Sequence, residues 1–182
     1  MWKLLIVFAI GALVACQRNT TNQESKIDAN IIALEDSIRL YRQKAFESEK
    51  IKLENAAELL KEIEQSIPIY DKTLWIETQQ KLASMREAMY DSISMGDEKV
   101  MDNYDRKTAE MLSSLERLIQ KTPDFYKYAR AKLLYEEIKF YDNSDFKIRK
   151  EYNAYASEYN DLIRKGKISG KKVILFWGEP TI

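Results

Sequence analysis

Residues 134–162 read LYEEIKFYDNSDFKIRKEYNAYASEYNDL. Apolar and aromatic side chains recur in this stretch at alternating steps of four and three, the repeat of a helix that buries one face. The repeat keeps its phase through the polar DNSD segment, although that composition alone is typical of a turn. A loop of arbitrary length would usually break the phase. We therefore predict one helix from Pro123 to about Lys165, ended by Gly166, with Asp145 as the one polar residue on its apolar face.

The same helical repeat occurs in three earlier segments of the chain. These segments are residues 27–67, 69–93 and 101–118. Only five glycines and three prolines interrupt the whole sequence, and 32% of its residues are charged, a balance typical of long helices. Amphipathic helices joined by short connections pack against one another in antiparallel order. The sequence predicts an all-α fold, an antiparallel bundle of three to four long helices with a short apolar C-terminal tail.

Three positions predict where the helices bend or end. Pro68 disfavours helical geometry at the residue before it and lacks a backbone donor, and we expect a kink there rather than a full stop. Gly96 is the natural turn residue after the second segment. Thr122 suits the N-cap of the last helix, and Pro123 suits its first helical position.

The chain opens with a short apolar leader that ends in the sequence LVAC, closing at Cys16, the only cysteine in the chain. The apolar stretch of about eleven residues is shorter than the roughly twenty that a membrane-spanning helix needs. LVAC resembles the lipobox of bacterial lipoproteins, in which the thiol is acylated and the leader is removed. We expect a cleaved signal peptide at residues 1–15, an acylated cysteine with a polar tether at 16–26, and a helical domain at 27–182. The alternative is an uncleaved anchor with an ordinary thiol.

Charge and composition exclude several functional classes. The chain has 29 basic and 29 acidic residues and lacks the basic stripe that nucleic-acid binding requires. It has no histidine, which removes the usual general base and the commonest metal ligand. We predict a protein that is not an enzyme, with no cofactor and no metal site.

Carboxylate chemistry is the remaining catalytic option. Glu77 and the pair Glu136 and Glu137 lie on or near polar faces, where we expect solvated charges in i to i+4 pairs. Residues 142–145 faintly suggest a calcium loop, but the sixth position lacks glycine and the twelfth is Asn153 rather than glutamate. Asp145, if buried, would need a partner, and we expect a tyrosine hydroxyl or an arginine.

Four aromatic residues are candidates for a partner surface. Tyrosine combines apolar area with a polar tip and is favoured at interfaces, which singles out Tyr126 and Tyr128 at the start of the last helix. The tail residues 173–177 are all apolar and include Phe176 and Trp177. We expect this tail to fold back over the bundle; the alternative is that Phe176 and Trp177 meet a lipid interface or a partner.

The spacing of several short motifs resembles that of the LemA family, membrane-tethered bacterial proteins whose exported part is an antiparallel helical bundle. The motifs are Ile67-Pro68, Pro123-Asp124-Phe125, Tyr152-Asn153 and Tyr159-Asn160. The likeness covers roughly residues 50–180. It implies a fold and an envelope location, and the family brings no established activity with it.

We therefore expect a lipid-anchored envelope protein that acts as a non-enzymatic helical scaffold or interaction protein. Its partners would be the membrane, through acylated Cys16, and an envelope protein. By the sorting rule of enteric bacteria, Gln17 in place of aspartate favours the outer membrane if the source is Gram-negative. The alternative is a binding module or chaperone-like protein that sequesters peptides or apolar ligands between helices, with its six methionines allowing the core to repack.

Overall fold

A computed structural model describes residues 2–178, with side chains from residue 29 onward. Across residues 2–178 the chain is all-α and forms no strand. Its four helices are α1 (Trp2–Ser66), α2 (Lys72–Glu87), α3 (Glu98–Gln120) and α4 (Ala129–Arg164). They pack against one another as a bundle, and the predicted fold class is confirmed.

The two long helices run antiparallel, with α4 packed along the C-terminal half of α1 from Glu35 to Glu62. At one end Arg130 Nε of α4 lies 3.4 Å from Glu62 Oε2 of α1. At the other end the Tyr159 hydroxyl of α4 donates to Glu35 of α1 over 3.1 Å. This antiparallel pair is the most extensive helix–helix packing in the bundle.

The shorter helices α2 and α3 form a second antiparallel pair that packs on the first. Lys81 of α2 binds Glu110 of α3 at 3.0 Å, and the hydroxyls of Thr78 and Ser114 lie 2.8 Å apart. The Trp75 indole donates to the main-chain oxygen of Leu60, which joins α2 to α1.

The connection at Pro68 differs from the kink that we predicted. α1 stops at Ser66, and a short turn leads to Asp71, whose carboxylate accepts from the backbone N–H groups of Thr73 and Leu74. This N-cap starts α2 as a separate helix. The kink prediction was wrong because Asp71, three residues after Pro68, caps a new helix.

The start of α4 also differs from the prediction. The Thr122 hydroxyl donates to the Leu118 carbonyl and so closes α3 rather than capping α4. Asp124 has a left-handed backbone with φ of 56°, a short 3₁₀ turn follows at Phe125–Lys127, and α4 begins only at Ala129. The prediction of Thr122 as N-cap and Pro123 as first helical residue was wrong.

Two other predictions for α4 are confirmed. The helix is continuous through residues 142–145, and it ends at Arg164, followed by Gly166 with φ of 66°. A left-handed glycine just past the last turn is a common helix ending.

α1 begins at Trp2, so residues 17–26, which we predicted as a solvated tether, have helical backbone. The side chain of Cys16 lies outside the described part of the chain. Among the described residues, none of the helices is both long and apolar enough to cross a membrane.

Candidate functional site

Four charged side chains lie inside the bundle, midway along the α1–α4 pair. Glu49 and Lys52 come from α1, and Asp145 and Arg149 come from α4. None is more than 6% exposed. Spacings of three and four residues place each pair on one helix face, and the two faces meet. These four residues are called the charged layer below.

Lys52 is surrounded by carboxylates. Its Nζ lies 3.0 Å from Glu49 Oε2 and 3.2 Å from Asp142 Oδ1, and it also donates to Asp145. Burial alone would lower the pKa of Lys52, but the carboxylates outweigh burial and hold the pKa above its ordinary value. The ammonium therefore stays charged inside the protein.

Glu49 is bound by three donors. Arg149 Nη2 and the Tyr104 hydroxyl each lie 2.6 Å from its oxygens, and Lys52 is the third partner. Burial opposes ionisation, but Lys52, Arg149 and the Tyr104 hydroxyl together hold the pKa of Glu49 below its ordinary range. Glu49 is thus a fixed anion that joins α1 to both α3 and α4.

Arg149 connects the charged layer to the surface and to the aromatic core. Its Nη1 lies 3.1 Å from Asp105 Oδ1 on α3. Its guanidinium carbon lies 5.4 Å from the ring centre of Tyr90 and 5.7 Å from that of Phe176. Stacking on aromatic faces adds a cation–π attraction to the ion pairs, and Arg149 therefore has partners on four sides.

Asp145 is the member of the layer that titrates near neutral pH. Burial and the negative charge of Glu49 raise the pKa of Asp145 to about 6, against the opposing effect of Lys52. The partners that we expected, a tyrosine hydroxyl or an arginine, are instead Lys52 and the Ser48 hydroxyl. Within the described residues no group of acidic, histidine or cysteine side chains is arranged to hold a metal ion.

A cavity of about 260 Å³ opens beside the charged layer. It is lined by Glu49, Lys52, Asp105, Thr108, Asp142, Asp145, Phe146 and Arg149. Four carboxylates and two cations give this lining a formal charge of −2. Thr108 Oγ1 and Arg149 Nε are buried and have no hydrogen-bond partner among the described residues.

The C-terminal tail docks on α4 through two asparagines, which confirms that it folds back on the bundle. The Asn153 side chain donates to the Phe176 carbonyl over 2.9 Å and accepts from the Phe176 N–H over 2.8 Å. Asn160 does the same for Val173, at 2.8 and 2.7 Å. Seven residues of helix rise about 10 Å, and three residues of extended chain span about the same distance. The two amides therefore match the tail in register.

The docked tail contributes to the core. Phe176 is 2% exposed and packs edge-on against Tyr90 and Tyr152, with ring centres 5.7 and 5.1 Å apart. Gly96 makes room for it: a Cβ there would lie 2.7 Å from Ile174 Cγ2. Gly96 lies in the 3₁₀ turn Ser94–Gly96 between α2 and α3, and the close approach of the tail is what requires glycine there.

The four predicted partner-surface residues have different environments. Tyr126 is 63% exposed and lines a shallow surface cavity of about 480 Å³ at the turn before α4. Tyr128 is half-buried against the core. Phe176 is buried, while Trp177 is 45% exposed and its backbone N–H donates to the Met95 carbonyl. Tyr126 and Trp177 are thus the members that remain accessible.

Sequence reasoning singled out Asp145 but missed Glu49, Lys52 and Arg149. One signal was present in α1, where the apolar repeat has a gap between Phe46 and Leu53 that Glu49 fills. The predicted i to i+4 pairing holds for Glu136, which pairs with Lys132 on one turn of α4. Glu77 instead pairs with Arg117 of α3, and Glu137 accepts from the Asn55 side chain of α1 over 3.0 Å.

No protein-family model, curated protein or solved structure matches this chain. The resemblance to the LemA family therefore rests on the motifs themselves.

Proposed function

We propose that this chain is a lipid-anchored protein of the bacterial cell envelope, a LemA-like helical bundle that acts as a non-enzymatic scaffold or interaction protein. The observation that carries the proposal is the LVAC sequence that ends the apolar leader at Cys16. Two or three acyl chains on one cysteine supply enough apolar surface for stable attachment without any spanning helix. The outer membrane is the favoured location in a Gram-negative source.

The arrangement of the charged layer supports a non-enzymatic role. Glu49 and Asp145 each bind a cation from the same layer, Arg149 and Lys52 respectively. Both carboxylates are thus held in ion pairs that join α1 to α4.

One of the motifs behind the LemA-like interpretation docks the C-terminal tail. The paired Tyr-Asn motif gives the resemblance its last two elements, and both of its asparagines bind the tail in the same way. Tyr152 adds a third contact, because its hydroxyl donates to the Ile174 carbonyl over 2.8 Å. A shared structural task explains why the motif occurs twice at a spacing of seven.

The surface that best suits a protein partner surrounds Tyr126. It lies at the same end of the bundle as the C-terminus of α1, since Arg130 reaches Glu62 there. Ile69, in the turn between α1 and α2, is 66% exposed. An exposed tyrosine beside a shallow cavity is typical of an interface centre.

Mass spectrometry of the mature protein tests the anchor. We expect the mature wild-type chain to begin at Cys16 with acyl groups attached. The Cys16→Ala variant should keep residues 1–15 and should not incorporate labelled fatty acid. Thr20→Ala is the matched control and should be lipidated normally. An unmodified thiol with the leader still attached would refute the proposal.

Crosslinking on native membranes tests the interaction surface. Tyr126→Ala should abolish a specific crosslinked product, whereas Phe140→Ala, which removes an equally exposed ring from the middle of α4, should leave it intact. Equal yields from both variants would count against the Tyr126 surface.

The alternative, a module that sequesters peptides or apolar ligands, keeps a simple test. Met85, Met95, Met101 and Met111 are each at most 1% exposed, so ligand entry would have to open the core. A change in helix stability on adding detergent or peptide would favour the alternative, and indifference would favour the scaffold.

A further inference from the structure

The cavity beside the charged layer lies between α1, α3 and α4 and reaches the surface. Its mouth is formed by Asp105, Asp142 and Phe146, whose exposures are 54%, 39% and 58%. Its volume of about 260 Å³ is several times the roughly 30 Å³ that one water occupies in the liquid. The cavity can therefore admit a small organic molecule.

The charge of the lining favours a cation. The two buried carboxylates, Glu49 and Asp145, are balanced by Lys52 and Arg149. The two aspartates at the mouth have no further cation to balance them within the lining, which leaves the formal charge at −2. A cleft lined by one excess sign attracts ligands of the opposite sign. Asp105 and Asp142 share Arg149 and Lys52 with the buried carboxylates, so the excess negative charge lies at the mouth.

A second and independent observation points to a ligand. Thr108 is 7% exposed and lines the cavity. Its hydroxyl interacts with that of Tyr104, which already donates to Glu49, so the Thr108 oxygen has no donor among the described residues. Buried hydroxyls are nearly always hydrogen-bonded, and an unbonded one costs stability. A ligand N–H would supply the missing donor, and Arg149 Nε–H, also unpartnered, would bind an acceptor oxygen on the same molecule.

The ring at the mouth narrows the class of cation. Phe146 is exposed although it is large and apolar, and it lies beside the two aspartates. A planar guanidinium can stack on an aromatic face and bind carboxylates in its own plane. We propose that this cavity is a binding site for a guanidinium group on a molecule that also carries a hydrogen-bond acceptor, held by Asp105, Asp142 and Thr108 with Phe146 against the face of the guanidinium.

Calorimetric titration of the full chain with argininamide at low salt tests the site. We expect saturable binding that weakens with added NaCl, because ion pairs at the half-exposed mouth are screened. Citrullinamide has the same shape without the guanidinium charge and should bind about tenfold or more weakly. Equal binding of both compounds, or no binding of argininamide, would overturn the proposal.

Variants of the lining residues distinguish a loss of binding from a loss of folding. Asp105→Asn and Asp142→Asn should each weaken argininamide binding by about tenfold, whereas Asp102→Asn, an exposed aspartate one turn earlier on α3, should not. Thr108→Val keeps the shape of the side chain and removes the oxygen that would accept the ligand N–H; it should weaken binding by severalfold in a variant whose circular dichroism spectrum shows that it folds. Unchanged binding in the Asp105, Asp142 and Thr108 variants would also overturn the proposal.

Titration with a peptide distinguishes an arginine side chain of a partner protein from a free small molecule as the source of the cation. A blocked Gly-Arg-Gly peptide presents the guanidinium as a protein side chain would. Binding of the peptide assigns the site to an arginine of a partner protein, and binding of argininamide alone assigns it to a free small molecule.

Discussion

The interior of the bundle contains two kinds of layer built on the same helices. Near the end where α1 meets α2, the core consists of aliphatic side chains and methionine, including Leu59, Ile63, Met85 and Leu115, all fully buried. About three to four turns back along α1, Glu49 and its partners are buried to the same extent. The apolar layer stabilises the fold through area and tight packing, whereas the charged layer stabilises only one arrangement of its partners.

The two layers differ in how strictly they set the register of α1 against α4. Apolar cores tolerate many substitutions of similar volume, and so an apolar stripe alone would allow α1 and α4 to slide. Sliding by one helical turn would separate Lys52 from Asp145 and Glu49 from Arg149. We therefore interpret the charged layer as a device that fixes the register of the long helix pair, a role with precedent for buried polar groups.

The largest effect is expected from Lys52→Met. The substitution leaves Glu49 and Asp145 as buried carboxylates without their shared cation. Removing one partner of a buried ion pair typically costs about 3–5 kcal/mol. Urea unfolding followed by circular dichroism measures the loss.

Lys50→Met is the matched control for this prediction. Lys50 lies two residues away on α1, and its side chain is 72% exposed in a surface pair with Glu54. Exposed pairs contribute about 0–1 kcal/mol. Similar losses for both lysines would mean that the charged layer is no different from the surface.

A smaller but still large effect is expected in the apolar layer. Leu115→Ala removes a fully buried side chain and should cost about 3 kcal/mol, with the exact loss set by how far the cavity collapses. Leu133→Ala, on the exposed side of α4, should cost less than about 0.5 kcal/mol. A loss at Leu115 that is no larger than at Leu133 would show that this layer is loosely packed.

The pH dependence of stability should distinguish the layers. The pKa of Asp145 is about 6 in the fold, against an ordinary value of 3.8. Its contribution is therefore fully present below about pH 4 and is lost as the pH rises through 6. Glu49 acts in the opposite direction, because its lowered pKa gives stability that is lost only as the pH falls.

Asp145→Asn isolates the aspartate. Between pH 4 and pH 7 the free energy of unfolding of the variant should gain about 2 kcal/mol relative to the wild-type chain. Urea titrations of both proteins across this range measure the difference. A difference that does not change with pH would contradict the raised pKa.

The smallest effects are expected where the tail docks. Asn153→Ala would leave the N–H and carbonyl of Phe176 without these partners in a buried place and should cost about 2 kcal/mol, whereas Asn160→Ala, at a half-buried place, should cost about 1 kcal/mol. Trypsin should then cut faster at Lys171 and Lys172. The exposed Asn143 on the same helix provides the control, and equal cleavage of all three variants would argue against the docking.

Helical periodicity was sufficient to predict the fold class and the continuity of α4. It worked because the phase of the repeat reports burial over about eight turns, which a short polar stretch cannot disturb. The breaks at Pro68 and Thr122 were harder to predict, since each residue can either end one helix or start the next. Only the hydrogen bonds of Asp71 and Thr122 decide between these roles.

The charged layer was only partly predictable for a different reason. A buried charge looks like a surface charge in sequence unless it interrupts an apolar face, as Asp145 does. Glu49 fills a gap in the apolar repeat of α1 between Phe46 and Leu53. Lys52 lies one position before Leu53, and Arg149 lies one position after Ile148, so both fall just outside the apolar repeat. Their pairing depends on the register between two helices nearly a hundred residues apart, which no local pattern contains.

A double-mutant cycle on Glu49 and Arg149 tests most directly whether the charged layer joins α1 to α4. Glu49→Gln and Arg149→Met are each measured alone and together by urea unfolding. Because the two side chains are buried and 2.6 Å apart, we predict a coupling energy of about 2 kcal/mol. Additive losses, with a coupling energy near zero, would contradict it.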